Sequence, residues 1–294
     1  MLSHRSSISR GSLLVITALA AVAAGTSMVA RVSASPVLLA DYKAVNYNAT
    51  TGVWTDSSGN GNNASVVYQQ YGETAPALMP DATPNGSSAV TFNGTNEFLA
   101  IDGTVGLPSS SAGYTVMAFV QPQDTGSGTY AIVGGSPGAI EYRLQSGNHQ
   151  ALLREDVAGM GTSNTAIPTN SFSMIGIATD NAGNAVFYLD GSADGTAAAG
   201  NNTVFSSPIN TIGAANSGSS LVIEPEDHFL GNIAELQIYS GVMTSSQIQT
   251  VNQSFINAYV NPVPEPATLW LFAVSGLGAC LLLIDRKRAT HRNT

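Results

Sequence analysis

The sequence from Ile233 to Tyr239 reads IAELQIY and alternates cleanly between apolar and polar side chains. Successive strand residues point to opposite faces of a sheet, so this alternation predicts a β-strand. One predicted face holds Ala234, Leu236 and Ile238, and the other holds Glu235, Gln237 and Tyr239. The stretch therefore predicts a strand with one apolar face and one polar face.

Directly after this strand, the sequence predicts one helix, Ser245–Tyr259. Thr244 followed three residues later by Gln247 is a capping-box start. The apolar residues at helical spacing are Ile248, Val251, Phe255 and Tyr259. Because a proline cannot continue a helix, Asn261-Pro262 ends the domain.

Seven further strands are predicted upstream, from β-branched or aromatic runs broken by Gly, Asn, Asp and Ser clusters. These runs are Ser88–Phe92, Phe98–Ile101, Tyr114–Val120, Tyr130–Val133, Ile140–Leu144, Met174–Thr179 and Ala185–Leu189. Tyr114–Val120 and Met174–Thr179 are apolar on both faces, which suits central strands of a sandwich. No glycine fingerprint follows a strand and opens a helix, so nothing indicates a nucleotide-binding fold.

The N-terminal segment 1–34 has the order of a secretory signal peptide. Arg5 and Arg10 precede an apolar run, Leu13–Ala24, and small residues follow at Val32-Ser33-Ala34. We predict cleavage after Ala34, with an uncleaved N-terminal anchor as the alternative.

The C-terminal segment 261–294 has three parts in order. They are Val263-Pro264-Glu265-Pro266, an apolar run from Ala267 to Ile284, and Arg286-Lys287-Arg288. The 18 apolar residues of a helix 267–284 would span ~27 Å, near the short limit for one membrane span. The basic cluster places the tail in the cytoplasm and the domain outside.

This C-terminal order resembles the PEP-CTERM sorting signal of bacterial exported proteins. The resemblance implies recognition by an exosortase and removal of the tail after a transient stage anchored in the inner membrane. It also implies delivery to the cell surface or extracellular matrix. A plain tail anchor is the alternative.

Charge and cysteine content exclude several classes of protein. The chain has a net charge of −9, and residues 35–260 hold three basic residues against 17 acidic ones, a net charge of −14. Such a surface argues against nucleic acid as a partner, because no basic stripe displaces phosphate counterions. The single cysteine excludes internal disulfides and four-thiolate zinc sites.

Five segments of the predicted domain, 35–260, resemble bacterial laminin-G-like domains of the concanavalin A-like superfamily. They are Val53–Asn63, Val90–Gly94, Tyr114–Val120, Phe187–Gly191 and Leu230–Leu236, in the expected order. The resemblance implies an all-β fold, a two-sheet antiparallel jelly-roll sandwich. The complete prediction adds one C-terminal amphipathic helix and the C-terminal transmembrane helix.

The segment Asp56–Asn63 is a candidate cation loop, since carboxylate, amide and backbone carbonyl oxygens are the ligands that calcium prefers. The alternative is a tight turn whose glycines adopt positive φ. The resemblance implies that the first and last strands lie near each other, which would bring Glu235 toward Asp56. We therefore hypothesise that Asp56, Asn60 and Glu235 hold one structural Ca²⁺.

The sequence offers little for catalysis. Glu224–His228 is the densest charged run, and it suits a second cation site, an acid–base pair or a solvated loop. Glycosidases of the same superfamily have an E-x-D-x-x-E strand with two carboxylates facing one cleft. Neither Glu224–His228 nor Ile233–Tyr239 reproduces that strand, and neither His149 nor His228 has a triad setting. We predict that the protein is not an enzyme.

Carbohydrate binding needs aromatic platforms with polar neighbours. The candidate platforms are Tyr130, Tyr142 and Tyr188, with Asn148, Arg143 and Arg154 nearby in sequence. The alternative is that these tyrosines are core or rim residues of the sandwich.

By analogy with the family, the predicted function is binding of carbohydrate, a surface glycoconjugate or another surface partner. A structural matrix component without a discrete ligand is the alternative. A glycoside hydrolase or lyase is disfavoured by the missing carboxylate strand.

Overall fold

The computed structural model describes residues 35–66, 72–102, 107, 113–123, 129–135, 141–145, 151–154, 161–180, 184–197, 209–216 and 224–262. The predicted signal peptide, the Val263–Pro266 segment and the predicted transmembrane helix 267–284 lie outside these residues. Within the described part of the chain, no helix has the length and apolar character needed to cross a membrane.

The described strands and the helix are named in chain order. They are β1 (Val37–Asn48), β2 (Val53–Asp56), β3 (Ala64–Ser65), β4 (Ala77–Met79), β5 (Ala89–Asn93), β6 (Leu99–Ile101), β7 (Tyr114–Pro122), β8 (Thr129–Gly135), β9 (Glu141–Gln145), β10 (Ala151–Arg154), β11 (Gly161–Thr162), β12 (Ser173–Thr179), β13 (Ala185–Leu189), β14 (Ser192–Ala197), β15 (Ile209–Ile212), β16 (Ala215–Asn216), β17 (Pro225–Glu226), β18 (Leu230–Ser240) and α1 (Ser245–Tyr259).

Strand β18 organises the first layer of the sandwich. It pairs with β7 on one side and with both β1 and β5 on the other. The layer continues from β7 through β12 and β13 to β14, and β4 adds to β5 as an edge strand. The second layer has the order β11-β10-β9-β8-β15-β6, and β2 and β3 connect it to β1. The named strands pair antiparallel, which confirms the predicted all-β sandwich.

The main core lies between the two layers. Its fully buried members include Val116, Ile177, Phe187 and Leu236 from the first layer and Leu99, Ile132, Ile209 and Ile212 from the second. Trp54 is completely buried beside Tyr42 and Tyr47, with ring centroids 5.7 and 5.9 Å away. Burying each such side chain contributes roughly 1.5–3 kcal/mol, so this interface is the main source of stability.

Helix α1 covers the outer face of the first layer. As predicted, Thr244 accepts a hydrogen bond from the Gln247 backbone N–H, and the Gln247 side chain accepts one from the Thr244 backbone N–H. The predicted apolar face is buried, and Phe255 and Tyr259 pack on Phe119. A second apolar cluster thus forms between the helix and the sheet.

One predicted face of β18 is wrong. The register between β18 and β7 shifts between Ile233 and Glu235, which is a β-bulge. Ala234 therefore packs in the helix-side cluster, whereas Leu236 and Ile238 join Ile233 in the main core. An extra residue in one strand reverses the alternation that a regular pattern predicts.

The eight predicted strands are all present, with bounds that differ by at most three residues. The sequence pattern missed β1, which has 12 residues and pairs with both β2 and β18. Asp41 and Lys43 interrupt its apolar pattern, and both belong to the polar cluster described next.

Candidate functional site

The predicted cation loop is built as a turn around Asp56, the last residue of β2. Its Oδ1 accepts hydrogen bonds from the backbone N–H groups of Asp41 (2.9 Å) and Ser58 (2.8 Å). Its Oδ2 accepts from the Ser58 hydroxyl (2.7 Å) and the Asn62 backbone N–H (3.0 Å). Gly59 and Gly61 adopt φ of +87° and +80°, which lets the chain close around this carboxylate. Four protein donors therefore satisfy Asp56.

The three predicted calcium ligands do not form a common oxygen set. The Asn60 side-chain nitrogen donates to the carbonyls of Leu38 (2.8 Å) and Leu39 (3.1 Å). Glu235 lies on β18, across β1 from Asp56, and bonds to other partners. Among the described residues there is no group of three His, Cys, Asp or Glu side chains that could hold a metal ion. The calcium hypothesis therefore stays a prediction.

Glu235 lies at the centre of a buried polar cluster between β1, β18 and α1. Its Oε2 accepts a hydrogen bond from the Tyr259 hydroxyl (2.7 Å), and its Oε1 accepts one from the Gln237 amide. Lys43 lies 3.7 Å from Oε1 and 2.9 Å from Asp41 Oδ2. The cluster thus joins two carboxyls, one ammonium and the last residue of the helix.

The electrostatics of this cluster favour the protonated form of Glu235. Burial raises its pKa to about 7, and the nearby Asp41 adds to the increase. The hydrogen bond from Tyr259 and the charge of Lys43 oppose the increase. Asp41 is 5% exposed, and its buried Oδ1 has no hydrogen-bond partner. One lysine therefore compensates two carboxyls that water does not reach.

Two of the predicted sugar platforms are buried. Tyr130, on β8, is 7% exposed and belongs to the main core, and Tyr188, on β13, is 6% exposed and belongs to the helix-side cluster. A ring must offer a face to solvent before a sugar can stack on it, so neither serves as a platform in this structure. Tyr142 lies on β9, but its side chain is outside the described residues.

The acidic run Glu224–His228 contains one strand of a small two-stranded sheet. Pro225–Glu226 is β17, which pairs with β16. His228 packs edge-on against Phe98, and burial lowers its pKa. His149 and the sorting residues Val263, Pro264, Glu265, Pro266, Arg286, Lys287 and Arg288 lie outside the described residues.

Comparison with known families identifies the domain. Residues 85–249, more than half of the chain, match the laminin-G-like family described as the concanavalin A-like lectin/glucanases superfamily. The chain belongs to this superfamily. Residues 262–287 match the PEP-CTERM protein-sorting motif, which implies an exported protein with a membrane-associated sorting stage. Both predicted resemblances are therefore confirmed.

Solved structures share the fold at low sequence identity. Domain 4 of AbnA, a GH43 extracellular arabinanase from Geobacillus stearothermophilus in complex with arabinotriose, has a TM-score of 0.51 and 21% identity. The match covers 74% of this chain and 99% of that domain. Trypanosoma rangeli sialidase has a TM-score of 0.51 and 15% identity, with 74% of this chain and 33% of the sialidase covered.

A third similar structure is the binding domain of botulinum neurotoxin DC in complex with SialylT. Its TM-score is 0.51 at 11% identity, and the match covers 74% of this chain and 51% of the toxin chain. The chain thus spans a third of the sialidase and half of the toxin chain. At these identities the similarity shows the fold alone. No curated protein matches the sequence.

The sequence pattern missed most partners of Glu235. Asp41 and Lys43 lie on the unpredicted strand β1, and Tyr259 was assigned only to the apolar face of the helix. A charged pair two residues apart in an apolar segment, Asp41 and Lys43, was the signal available. Strand register alone shows that this pair faces Glu235.

Proposed function

We propose that this is an exported, non-catalytic protein of the bacterial cell surface or extracellular matrix that binds carbohydrate through its sandwich domain. One observation carries the proposal: a concanavalin A-like domain (85–249) and a sorting motif (262–287) are neighbours in a single chain. The motif supports recognition by an exosortase after transient anchoring in the inner membrane. The domain then supplies the binding surface.

The environment of Asp56 and Glu235 supports a non-catalytic function. A glycosidase needs two carboxyls facing a cleft that admits substrate and water. Asp56 and Glu235 are 7% and 3% exposed, and their oxygens are engaged by the turn donors and by Tyr259 and Gln237. Acids held in this way stabilise the fold and have no access to a polysaccharide.

Similar folds in other proteins support carbohydrate as the ligand class. The matching arabinanase domain was solved in complex with arabinotriose. The match covers 99% of that domain and 74% of this chain. We therefore expect the surface of the sandwich, and not a separate domain, to bind saccharides.

A glycan array with the full chain in detergent micelles tests the proposal. We expect selective binding to at least one polysaccharide or glycoconjugate. No binding to any glycan would favour a matrix component without a discrete ligand. Release of reducing sugars by the wild type, lost in Glu224→Gln or Glu226→Gln, would overturn the non-catalytic assignment.

Sorting has a separate test. Mass spectrometry of the protein released from the cell surface should detect peptides of the sandwich domain and none beyond about residue 266. An intact C-terminal tail in the released protein would contradict exosortase processing.

A further inference from the structure

A polar row crosses the outer face of the first layer. Strand register places Ala77 of β4 beside Thr91 of β5, Thr91 beside Asn232 of β18, and Asn232 beside Gln121 of β7. Neighbouring strands are about 4.8 Å apart, so the row from Ala77 to Gln121 is about 14 Å long. Its members come from four separate parts of the sequence.

Hydrogen bonds connect the polar members of this row in one direction. The Thr91 hydroxyl donates to Asn232 Oδ1 (2.7 Å), and Asn232 Nδ2 donates to Gln121 Oε1 (2.7 Å). Asn232 is 3% exposed, so these bonds satisfy a buried amide. Gln121 is half-buried, and no hydrogen bond engages its Nε2 in the described structure. The row therefore ends in a fixed amide with two unused donors.

An aromatic ring lies beside that free amide. Ser173 pairs with Val120, which brings the preceding residue, Phe172, level with Gln121. The Phe172 ring stacks on Phe119 at a centroid distance of 5.2 Å and an interplanar angle of 21°. Phe172 is nevertheless half-buried, whereas Phe119 beneath it is 4% exposed. The supporting ring holds Phe172 in place with part of its surface open to solvent.

Helix α1 leaves part of this row exposed, since Thr91, Gln121 and Phe172 are half-buried whereas Asn232 is buried. The helix packs one row further along the strands, where Phe119 contacts Phe255 and Tyr259. Ala77 at one end of the polar row is exposed, and Thr91 is half-buried. A ligand on this face therefore contacts the half-buried Thr91, Gln121 and Phe172, while the buried Asn232 lies beneath it.

We propose that Thr91, Gln121 and Phe172 form a binding site for a neutral glycan chain, and that the buried Asn232 orients the Gln121 amide. This inference rests on the proposed carbohydrate-binding function and names the surface and ligand class. The Gln121 amide donates to a sugar hydroxyl, and the Phe172 ring packs on the apolar face of a sugar ring. The sequence prediction placed the aromatic platforms on other strands.

Charge determines the ligand class. The row contains no acidic or basic side chain, so it offers no partner for a carboxylate or sulfate. The domain 35–260 has a net charge of −14, which repels anionic polysaccharides. A hydroxyl-rich, uncharged chain is the ligand that fits both observations.

Affinity electrophoresis and calorimetry with the full chain in detergent test this site. The probes are arabinan, xylan and dextran, with alginate as the anionic comparison. We expect at least one neutral polysaccharide to bind and alginate not to bind. Stronger binding to alginate than to every neutral probe would overturn the ligand class.

Two variants separate binding from folding. Gln121→Glu keeps an acceptor for Asn232 but removes the free donors, and Phe172→Leu keeps apolar packing on Phe119 but removes the ring. Each should weaken binding by about tenfold or more with little change in melting temperature. Gln253→Glu, with the same charge change on the exposed side of α1, is the matched control and should bind as wild type.

The outcomes distinguish the two proposals. If the wild type binds a neutral polysaccharide and both variants bind equally well, this site is wrong and the proposed function stands. If the wild type binds none of the probes and no array glycan, both proposals fail.

Discussion

Asp56 and Glu235 lie on the two strands that flank β1, and both carboxyls are buried, but the protein stabilises them differently. Four donors surround Asp56: the backbone N–H groups of Ser58 and Asn62 and the Ser58 hydroxyl from a local turn, and the backbone N–H of Asp41 from β1. Glu235 depends on side chains from three elements and lies near a second carboxyl, Asp41. Backbone donors fix the position of the Asp56 carboxyl, whereas burial in the shared side-chain cluster raises the pKa of Glu235 to about 7.

The largest expected effect is at the backbone-held acid. In Asp56→Asn, the new NH₂ group must face one pair of donors, and a backbone N–H of Ser58 or Asn62 loses its acceptor. Leaving buried donors unsatisfied should cost about 4 kcal/mol in the free energy of unfolding, measured by urea denaturation. Asp81→Asn, at an exposed turn, is the control and should cost less than about 0.5 kcal/mol. Equal effects in the two variants would contradict the importance of the turn.

The second effect is a pH dependence at Glu235. Its pKa is about 7 in the folded protein and near 4.5 when unfolded, so the folded state keeps a proton that the unfolded state releases. The contribution of Glu235 to stability is therefore present below pH 4.5 and is lost as the pH rises to about 7 and above. In the wild type this loss in the free energy of unfolding should be on the order of 2–3 kcal/mol across the range, and Glu235→Gln should abolish it.

Unfolding free energies measured between pH 4.5 and 8 check this prediction. Glu224→Gln, at an exposed position, should keep the wild-type slope. A Glu235→Gln variant with an unchanged slope would show that Glu235 does not hold a proton in the folded protein.

These two acids also show what sequence can predict. The turn at Asp56 and the cap of α1 were recognisable because each is formed within eight residues or fewer. The cluster at Glu235 joins residues almost 200 positions apart, such as Lys43 and Glu235, and only strand register brings them together. The same limit explains the polar row, where Thr91 and Asn232 are 141 positions apart.

Residue type alone also fails to tell a buried ring from an exposed one. Tyr130 and Tyr188 have the composition of sugar platforms, but both complete apolar clusters. The bulge at Ala234 gives a related error, because one extra residue moves a small apolar side chain to the opposite face of β18. Bulges depend on the partner strand and have no signal in a single segment.

A smaller effect should follow from removing one donor of the Glu235 cluster. Tyr259→Phe keeps the ring stacked on Phe119 but deletes the hydroxyl that bonds to Oε2. Because this hydrogen bond favours the ionised carboxylate, its loss should raise the pKa of Glu235 above about 7. We expect a cost of about 1–2 kcal/mol at pH 8 and a smaller cost at pH 5. NMR titration of the Glu235 carboxyl carbon measures the shift, and a lower pKa would contradict this account of the cluster.

The smallest expected effect is that of calcium on the turn. Calcium would need oxygens of Asp56 that already accept hydrogen bonds from Ser58, Asn62 and Asp41. Binding would cost these bonds and would require Asn60 to turn its amide oxygen inward. We therefore expect no heat of calcium binding in calorimetry and the same melting temperature in calcium and in chelator. A calcium-dependent rise in melting temperature that Asp56→Asn abolishes would support the calcium hypothesis. In that case a cation, and not backbone N–H groups, would hold the Asp56 carboxylate. Asp56 would then no longer differ from Glu235 in being held by backbone donors.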